Sequence, residues 1–244
     1  MNDGHTHSRT ARPLLLQTAD SEHYARMLEI TSPAARKFCY YQSIDYTQFI
    51  GIKRGKYPWQ ASYNRIPMLM ELAKEGFHGW AIYLDADAYP FDLRFDLNEY
   101  LGSHANWAII GARGHEVLHL PNSGILLINF AHDATREIIK AWHKAFRRDV
   151  TDEMLAATSD WSQPDDQSLL HVILGKRKDT EEVLKLESFE VMGWPKSAVF
   201  RQMLRQFGNF NQRCEALRAG VQEAFDERPA AARLMAQINE KENI

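Results

Sequence analysis

The stretch GILLINF, residues 124–130, is apolar at every position except its glycine and its asparagine. Successive side chains of a strand point to opposite faces of the sheet, so a strand that is apolar throughout must be covered on both faces. The chain has 244 residues, 45% of them hydrophobic, which is enough to cover such a sheet within one compact domain. We therefore predict that residues 124–130 form a central strand.

Further apolar or aromatic runs predict strands, and stretches with helical spacing of apolar residues separate them. The predicted strands are 12–20, 36–45, 80–84, 106–113 and a late one within 181–188. The predicted helices are 21–30 with Ser21 as N-cap, 59–76 with Pro67 in its first turn or at a kink, 132–149 and 164–177. This alternation predicts an α/β fold with a mostly parallel central sheet flanked by helices.

The same pass along the chain predicts how one domain is organised. Residues 1–11 are polar and predict a disordered tail, residues 12–190 form the core, and residues 191–244 form a helical C-terminal segment of the same domain. We expect no secretory signal in the polar N-terminus and no spanning helix, because no apolar run approaches the ~20 residues that a bilayer requires.

Charge and cysteine content exclude several classes of protein. A net charge of −3 argues against a general nucleic-acid binder, because such proteins carry an excess of basic residues. Cys39 and Cys214 are the two cysteines and form no CxxC motif, so neither a zinc site nor a disulfide framework is indicated. We expect a cytoplasmic protein.

Two aspartates, Asp85 and Asp87, follow the predicted strand 80–84 directly. Ligands of open α/β sheets bind outside the carboxyl ends of the strands, which is where these carboxylates fall. Carboxylates two residues apart in a turn can both reach one divalent ion. The alternative is that one aspartate caps a turn while the other is solvated.

Two more polar clusters lie next to predicted core elements. Asn122, Ser123 and Gly124 stand at the start of the central strand, and Asp166 and Gln167 stand at the start of the helix 164–177. Free N–H groups and a partial positive charge are available at a helix start.

With these motifs in order, the chain resembles the glycosyltransferases of the GT-A fold. The resemblance is carried by YARMLEI, by YNRIPMLMELAKEGFHGWAIYLDADAYPFD, and by NSGILLINF and WSQPDDQSLL, and it covers roughly residues 12–175. Within that fold the chain is similar to the retaining galactosyl- and xylosyltransferases of the eukaryotic Golgi and their bacterial relatives. The resemblance implies a nucleotide-sugar donor, UDP-linked, and transfer with retention of configuration.

The resemblance assigns the two aspartates to the Asp-x-Asp motif of the family. It implies that Asp87 is a direct ligand of Mn²⁺ or Mg²⁺ and that Asp85 contacts the ribose of the donor or the ion. The ion would stabilise the charge that builds on the departing nucleoside diphosphate.

Other residues match positions around the donor. Thr18, Asp20 and Tyr24 lie where the family holds uracil and ribose, and Arg65 lies where a basic residue approaches the donor. The alternatives are that Thr18 and Asp20 are turn residues, that Tyr24 packs in the core, and that Arg65 pairs with Glu71 or stays solvated.

The remaining matches concern the transferred sugar. Asn122, Ser123 and Gly124 match the segment that lines the sugar pocket, where glycine permits close approach of the backbone. Asp166 and Gln167 match the pair that faces the sugar, where they would stabilise an oxocarbenium-like transition state. A plain turn and a helix cap are the alternatives for these two groups.

Aromatic and histidine side chains give a weaker set of candidates. Trp59, Trp161 and Trp194 are candidates for stacking on a sugar or a base, with core packing as the alternative. His115 and His119 fall in a polar loop on the predicted acceptor side, with a surface position as the alternative.

The chain departs from the family where a C-terminal histidine completes the metal shell, because no histidine follows His171. Three options stay open: the two aspartates suffice with diphosphate and water, His171 or another side chain substitutes, or arginine and lysine replace the metal. Arg201, Arg205 and Arg213 are candidates to close over the diphosphate, or they lie on a solvated helix face.

These observations predict a glycosyltransferase that moves a hexose or pentose to a hydroxyl of a sugar, lipid or protein acceptor. A noncatalytic nucleotide-sugar-binding protein of the same fold is one alternative. A nucleotidyltransferase is another, but the stretch LLLQTADSEHY lacks the glycines of a phosphate-binding loop.

Overall fold

The computed structural model describes residues 11–114, 119–157 and 164–226, and these form an α/β domain. Its strands are β1 (Leu14–Ala19), β2 (Asp45–Ile50), β3 (Trp80–Asp85), β4 (Ala88–Pro90), β5 (Ile109–Arg113), β6 (Pro121–Asn129), β7 (Leu184–Glu187) and β8 (Phe200–Gln202). Its helices are α1 (Ala25–Gln42), α2 (Arg65–Lys74), α3 (Leu97–Ser103), α4 (Asp133–Asp149), α5 (Asp152–Ala157), α6 (Asp166–Lys176), α7 (Thr180–Val183) and α8 (Phe210–Asp226), with 3₁₀ turns at Pro58–Asn64 and Arg205–Phe207.

Within the described ranges, six strands form the central sheet in the order β2-β1-β3-β6-β5-β7. β1 runs parallel to β2 and β3, and β5 runs parallel to β7, whereas β6 is antiparallel to both of its neighbours. The predicted mostly parallel α/β sheet is therefore confirmed, with β6 as the reversed strand. Because β6 is reversed, its first residues lie at the edge of the sheet where β1 and β3 end.

β6 is a central strand, as its sequence predicts, because Ile125, Leu126, Leu127 and Ile128 have no exposed surface. Ile125 and Leu127 pack in the core on the side of α1 and α8, and Leu126 and Ile128 pack in the core on the side of α2, α4 and α6. Because successive side chains of a strand point to opposite faces of the sheet, one apolar run contributes to the hydrophobic core on both sides.

The predicted second strand, residues 36–45, is wrong, since most of it belongs to α1. The buried residues Ala34, Ala35, Phe38 and Cys39 of α1 continue the helical spacing that begins at Met27, and Tyr40 is 79% exposed. Of the aromatic residues that indicated a strand, Phe38 is buried in the core and Tyr40 is exposed, so they lie on different faces of the helix. The strand of this region is β2, an edge strand whose side chains are mostly exposed.

Two helix starts also differ from the sequence prediction. Tyr24, not Ser21, is the N-cap of α1, and the Asp20 carboxylate accepts hydrogen bonds from the N–H groups of Glu22, His23 and Tyr24. The predicted helix 59–76 is divided into a 3₁₀ turn and α2. Pro67 lies in the first turn of α2, where a missing N–H costs no hydrogen bond.

The C-terminal segment is helical from Phe210 but also supplies a strand. β8 pairs antiparallel with β4, which follows Asp87 directly, and α8 packs on α1 through residues that include Cys214 and Leu217. Both cysteines are buried free thiols. In the part of the chain that the structure describes, no helix has the length and apolar character needed to span a membrane.

Candidate active site

A cavity of about 450 Å³ opens at the edge of the sheet where β1 and β3 end and β6 begins. The site residues predicted from the sequence, except Gly124, line this cavity together with several residues of the 3₁₀ turns. The predicted residues that line it are Thr18, Asp20, Tyr24, Arg65, Asp85, Asp87, Asn122, Ser123, Asp166 and Gln167. Five separate parts of the sequence thus meet at one opening.

Gly124 lies directly behind the cavity wall. A Cβ atom at this position would come within 2.2 Å of Nε2 of Gln202 and within 2.8 Å of Oδ2 of Asp85. The backbone of β6 therefore approaches both side chains more closely than any other residue would permit.

The residues after β1 are held by internal hydrogen bonds. The Asp20 side chain is 2% exposed and fixes the turn before α1, and Thr18 Oγ1 accepts a hydrogen bond of 2.9 Å from Nδ2 of Asn64. The hydroxyl of Tyr24 accepts hydrogen bonds from Arg205 Nε (3.3 Å) and Arg213 Nη1 (3.4 Å). This edge of the cavity is therefore ordered before any ligand arrives.

Arg65 is buried at the floor of the cavity and joins two carboxylates. Its Nη2 lies 2.6 Å from Oδ1 of Asp85, its Nε lies 3.1 Å from Oδ2 of Asp166, and its Nη1 donates to the carbonyl oxygen of Ser123. Its guanidinium also lies 4.5 Å from the ring centre of Tyr83. The predicted alternative pairing of Arg65 with Glu71 is wrong, because Glu71 is bound by Lys53.

The charges of this group shift each other's pKa values. Burial raises the pKa of Asp166 to about 6, although Arg65 opposes the shift. Burial by itself lowers the pKa of Arg65, but the carboxylates of Asp166 and Asp85 outweigh it and hold the pKa above its ordinary value. Arg65 is therefore a permanent cation shared by two acids.

Asp166 and Gln167 begin α6, as the sequence predicts. Asp165 is the N-cap and accepts from the N–H of Ser168 at 2.6 Å, which leaves Asp166 in the first turn and 3% exposed. Ser123 links this helix to β6, since its Oγ donates to Asp166 Oδ2 (3.0 Å) and its N–H donates to Gln167 Oε1 (3.0 Å). Two predicted clusters are thus one hydrogen-bonded unit.

Asp87 belongs to a second charged group, which the C-terminal segment supplies. Arg213 of α8 donates from Nη2 to Oδ2 of Asp87, and Gln202 of β8 donates from Nε2 to Oδ1 at 3.1 Å. Gln202 also accepts a hydrogen bond of 3.0 Å from Nδ2 of Asn122. Burial and the nearby charge of Asp85 raise the pKa of Asp87 to about 6, with Arg213 opposing the shift.

Several other candidates lie away from the cavity. Nε2 of His171 hydrogen-bonds to the carbonyl oxygen of Pro121 at 2.7 Å, and Arg201 pairs with Glu223. Trp194 packs against Phe207, whereas Trp59 and Arg205 line the cavity. His119 is exposed just before β6. His115 and Trp161 lie outside the described residues.

Some residues that line the cavity or hold its lining residues carry no signal in the sequence. Gln202 is 115 positions from Asp87 and stands in an ordinary strand pattern. Asn64 ties Thr18 to Gly51, and Ser62 lines the cavity with a buried Oγ that makes no hydrogen bond within the described residues. Each was missed because only the tertiary fold brings it to the sheet edge.

The donor atoms fit a dication at Asp85 better than at Asp87. Oδ2 of Asp85 receives no hydrogen bond from the described residues, and its side chain is 28% exposed to the cavity, whereas both oxygens of Asp87 are engaged. No group of three or more histidine, cysteine, aspartate or glutamate side chains is arranged to hold a metal in the described part of the chain. A dication would therefore need further ligands from substrate or water.

No family model matches the chain, and no curated protein matches it significantly. Its backbone is similar to the crystal structure of a glycosyltransferase involved in the glycosylation of the major capsid of PBCV-1, with a TM-score of 0.60 and 13% sequence identity over 85% of this chain and 99% of that one. The glycosyltransferase GlyE of Streptococcus pneumoniae TIGR4 matches with a TM-score of 0.44 and 14% identity over 73% of this chain and 45% of GlyE. The first match shows that the chain has the GT-A-like fold of that glycosyltransferase.

Proposed function

We propose that this protein is a glycosyltransferase that moves a hexose or pentose from a UDP-linked donor to a hydroxyl of a sugar, lipid or protein. One observation carries the proposal: within a GT-A-like fold, a buried arginine joins Asp85 and Asp166 at the floor of a cavity. Ligands of open α/β sheets bind at this edge. The acid-rich floor suits a reaction in which positive charge develops on the substrate.

In this proposal the nucleoside binds at the edge formed by β1 and α1. Tyr24 offers an aromatic ring next to the ordered turn at Asp20, and aromatic rings suit stacking on a base. Thr18 is fixed by Asn64 and completes the wall. Preordering of this kind lowers the entropy cost of binding.

The proposed metal is Mn²⁺ or Mg²⁺, at the two aspartates between nucleoside and sugar. When bound, such an ion neutralises the diphosphate and so helps it to leave. Asp85 would hold the ion through Oδ2, with Asp87 as the neighbouring carboxylate. Arg65 fixes Asp85 in place for this task through the contact of its Nη2 with Oδ1 of Asp85.

The sugar is proposed to bind against Asn122, Ser123 and the start of α6. As the bond between the anomeric carbon and the diphosphate oxygen breaks, Asp166 and Gln167 stabilise the positive charge on the ring. The acceptor oxygen then bonds to the anomeric carbon on the same face. Its proton passes to the departing diphosphate. Because the new bond forms on the face that the diphosphate leaves, the configuration is retained.

The proposed compartment is the cytoplasm, because both cysteines are free thiols. A noncatalytic nucleotide-sugar-binding protein would use the same cavity without transferring the sugar. Catalysis and binding must therefore be measured separately.

The test measures UDP binding by calorimetry with and without Mn²⁺, and then release of UDP from a panel of UDP-sugars. We expect binding that Mn²⁺ strengthens and a slow hydrolysis of one donor. Asp166→Asn should bind UDP normally but lower the hydrolysis rate by about 10²–10³-fold, the usual cost of losing a group that stabilises a transition-state charge.

Asp92→Asn is the control, because Asp92 is a buried aspartate that is absent from the cavity wall. Binding without hydrolysis of any donor would identify a noncatalytic protein. Folded protein that binds no UDP under either condition would contradict the proposal.

A further inference from the structure

The two aspartates of the Asp-x-Asp motif stand in different electrostatic surroundings. Asp85 shares Arg65 with Asp166 and lines the cavity, and its Oδ2 receives no hydrogen bond from the described residues. Asp87 has a guanidinium for itself, and both of its oxygens accept hydrogen bonds from side chains of the C-terminal segment. Asp87 therefore already has a counter-cation.

Arg213 is held in place by several contacts besides Asp87. Its Nε donates to the carbonyl oxygen of Met203 at 2.8 Å, and its Nη1 donates to the hydroxyl of Tyr24 at 3.4 Å. Arg213 is 3% exposed, and the next residue, Cys214, is fully buried between α8 and α1. The guanidinium is thus positioned by the fold and not by a mobile surface side chain.

Gln202 completes the enclosure of Asp87 from the other side. It is 2% exposed, donates to Asp87 Oδ1 and accepts from Asn122, so neither end of its amide is free. The antiparallel register of β4 and β8 places Gln202 opposite Ala88, the residue that follows Asp87. An ion approaching Asp87 would meet both a guanidinium and an amide N–H, which repel a cation.

We propose that Arg213 is the resident counter-cation of Asp87 and excludes a dication from it, so that Asp85 is the carboxylate of this motif that binds the metal. The inference rests on the proposed function, because it refines the metal site of the proposed reaction. It assigns to Arg213, carried on the C-terminal helix, control over how tightly the site binds a dication.

The test titrates MnCl₂ alone into nucleotide-free protein by calorimetry. Arg213→Met removes the positive charge and releases Asp87, so Mn²⁺ should bind about tenfold tighter or more, or become detectable if the native protein shows no binding. Arg213→Lys keeps the charge and should stay near the native affinity. Arg218→Met is the matched control, since Arg218 lies on the exposed side of the same helix.

A second variant keeps the test decisive if Arg213→Met fails to fold. Asp87→Asn combined with Arg213→Met removes a pair with no net charge, so it should bind Mn²⁺ within about threefold of the native protein, whereas Asp85→Asn should lose binding. Loss of Mn²⁺ in the double variant as severe as in Asp85→Asn would overturn the inference. So would equal affinities of the native protein and folded Arg213→Met, or no binding by either.

The same proteins are titrated with UDP to separate this inference from the proposed function. Native protein that binds no UDP would contradict the proposed function, while the Mn²⁺ comparison among the variants still judges the role of Arg213. Native protein that binds UDP, with Mn²⁺ affinities that Arg213→Met leaves unchanged, would overturn the role of Arg213 alone.

Discussion

Two buried arginines, Arg65 and Arg213, pair with carboxylates that line the cavity, and their attachments differ. Arg65 begins α2 and contacts side chains or backbone of β3, β6 and α6, so the central sheet and its helices hold it. Arg213 belongs to α8 and contacts Asp87, Met203 and Tyr24, next to the small β4–β8 sheet. The guanidinium of Arg65 is therefore held by the central sheet and its helices, and that of Arg213 is positioned by α8, the last described helix.

The charge balance of the two groups differs as well. Arg65 pairs with two carboxylates and Arg213 with one, so within these ion pairs three buried or partly buried acids face two guanidiniums and one negative charge is in excess, while Arg205 adds positive charge near Asp87. The excess lies with Asp85 and Asp166. The side of the cavity that Arg65 organises should therefore attract cations, and the side that Arg213 organises should not.

The largest expected effect comes from removing the arginine that serves two acids. Arg65→Met leaves Asp85 and Asp166 without their cation, and breaking a buried pair in this way costs about 3–5 kcal/mol of unfolding free energy. Urea denaturation measures the loss. Arg177→Met is the control, because Arg177 pairs with Asp179 and Glu137 near the surface and should cost about 1 kcal/mol or less. A similar small loss of unfolding free energy in both variants would show that the buried ion pairs of Arg65 stabilise the fold no more than the surface ion pairs of Arg177.

A smaller effect is expected at Gln202, whose amide connects Asp87 to Asn122. Gln202→Leu removes the donor to Asp87 and the acceptor for Asn122, so two buried polar groups lose a partner at a cost of about 1–3 kcal/mol. Urea denaturation again gives the value. Gln206→Leu is the control, because this exposed glutamine lies on the 3₁₀ turn at the mouth of the cavity. If Gln202→Leu is as stable as the native protein, the hydrogen bonds of Gln202 to Asp87 and Asn122 contribute nothing measurable to stability.

The sequence was enough to predict the core of the fold but not the direction of its central strand. The apolar run at residues 125–128 fits a central strand in either direction, because burial on both faces does not depend on the direction of the chain. The edge strand β2 was missed because its exposed side chains give no hydrophobic alternation. Motifs that are local in sequence, such as Asp85 with Asp87 or Asp166 with Gln167, lie together in the wall of the cavity.

The partners of those motifs were not predictable in the same way. In the sequence Arg213 is one of three candidate C-terminal arginines, and nothing in the residues around it distinguishes it from Arg201. The fold directs Arg213 to Asp87 and Arg201 to Glu223. Arg201 lies on β8 and Arg213 on α8, so which arginine reaches the site depends on how these two elements pack against β4 and α1, and that is a property of tertiary packing.

A further effect is expected in the pH dependence of stability. Burial raises the pKa of Asp166 from 3.8 to about 6, so between these values the folded protein binds more protons than the unfolded chain. This carboxyl therefore lowers stability as pH rises through that window. Asp166→Asn cannot titrate, so its unfolding free energy relative to the native protein should rise between about pH 4 and about pH 7. A constant difference across that range would show that Asp166 titrates normally.

The smallest expected effect concerns how firmly α8 is held. Cys214 follows Arg213 and is buried, and Cys39 is buried on the facing helix α1, where burial raises its pKa to about 12. Both thiols should react slowly with a chromogenic disulfide reagent in the native protein, and a Cys39→Ser background isolates Cys214.

If the pair with Asp87 contributes about 1 kcal/mol to holding α8, Arg213→Met should speed the labelling of Cys214 about fivefold through local opening. Arg218→Met should leave the rate unchanged, since its side chain lies on the exposed face of α8. Equal rates in all three proteins would mean that apolar packing alone anchors the helix, and that Arg213 differs from Arg65 in the number of acids it serves but not in how the fold holds it.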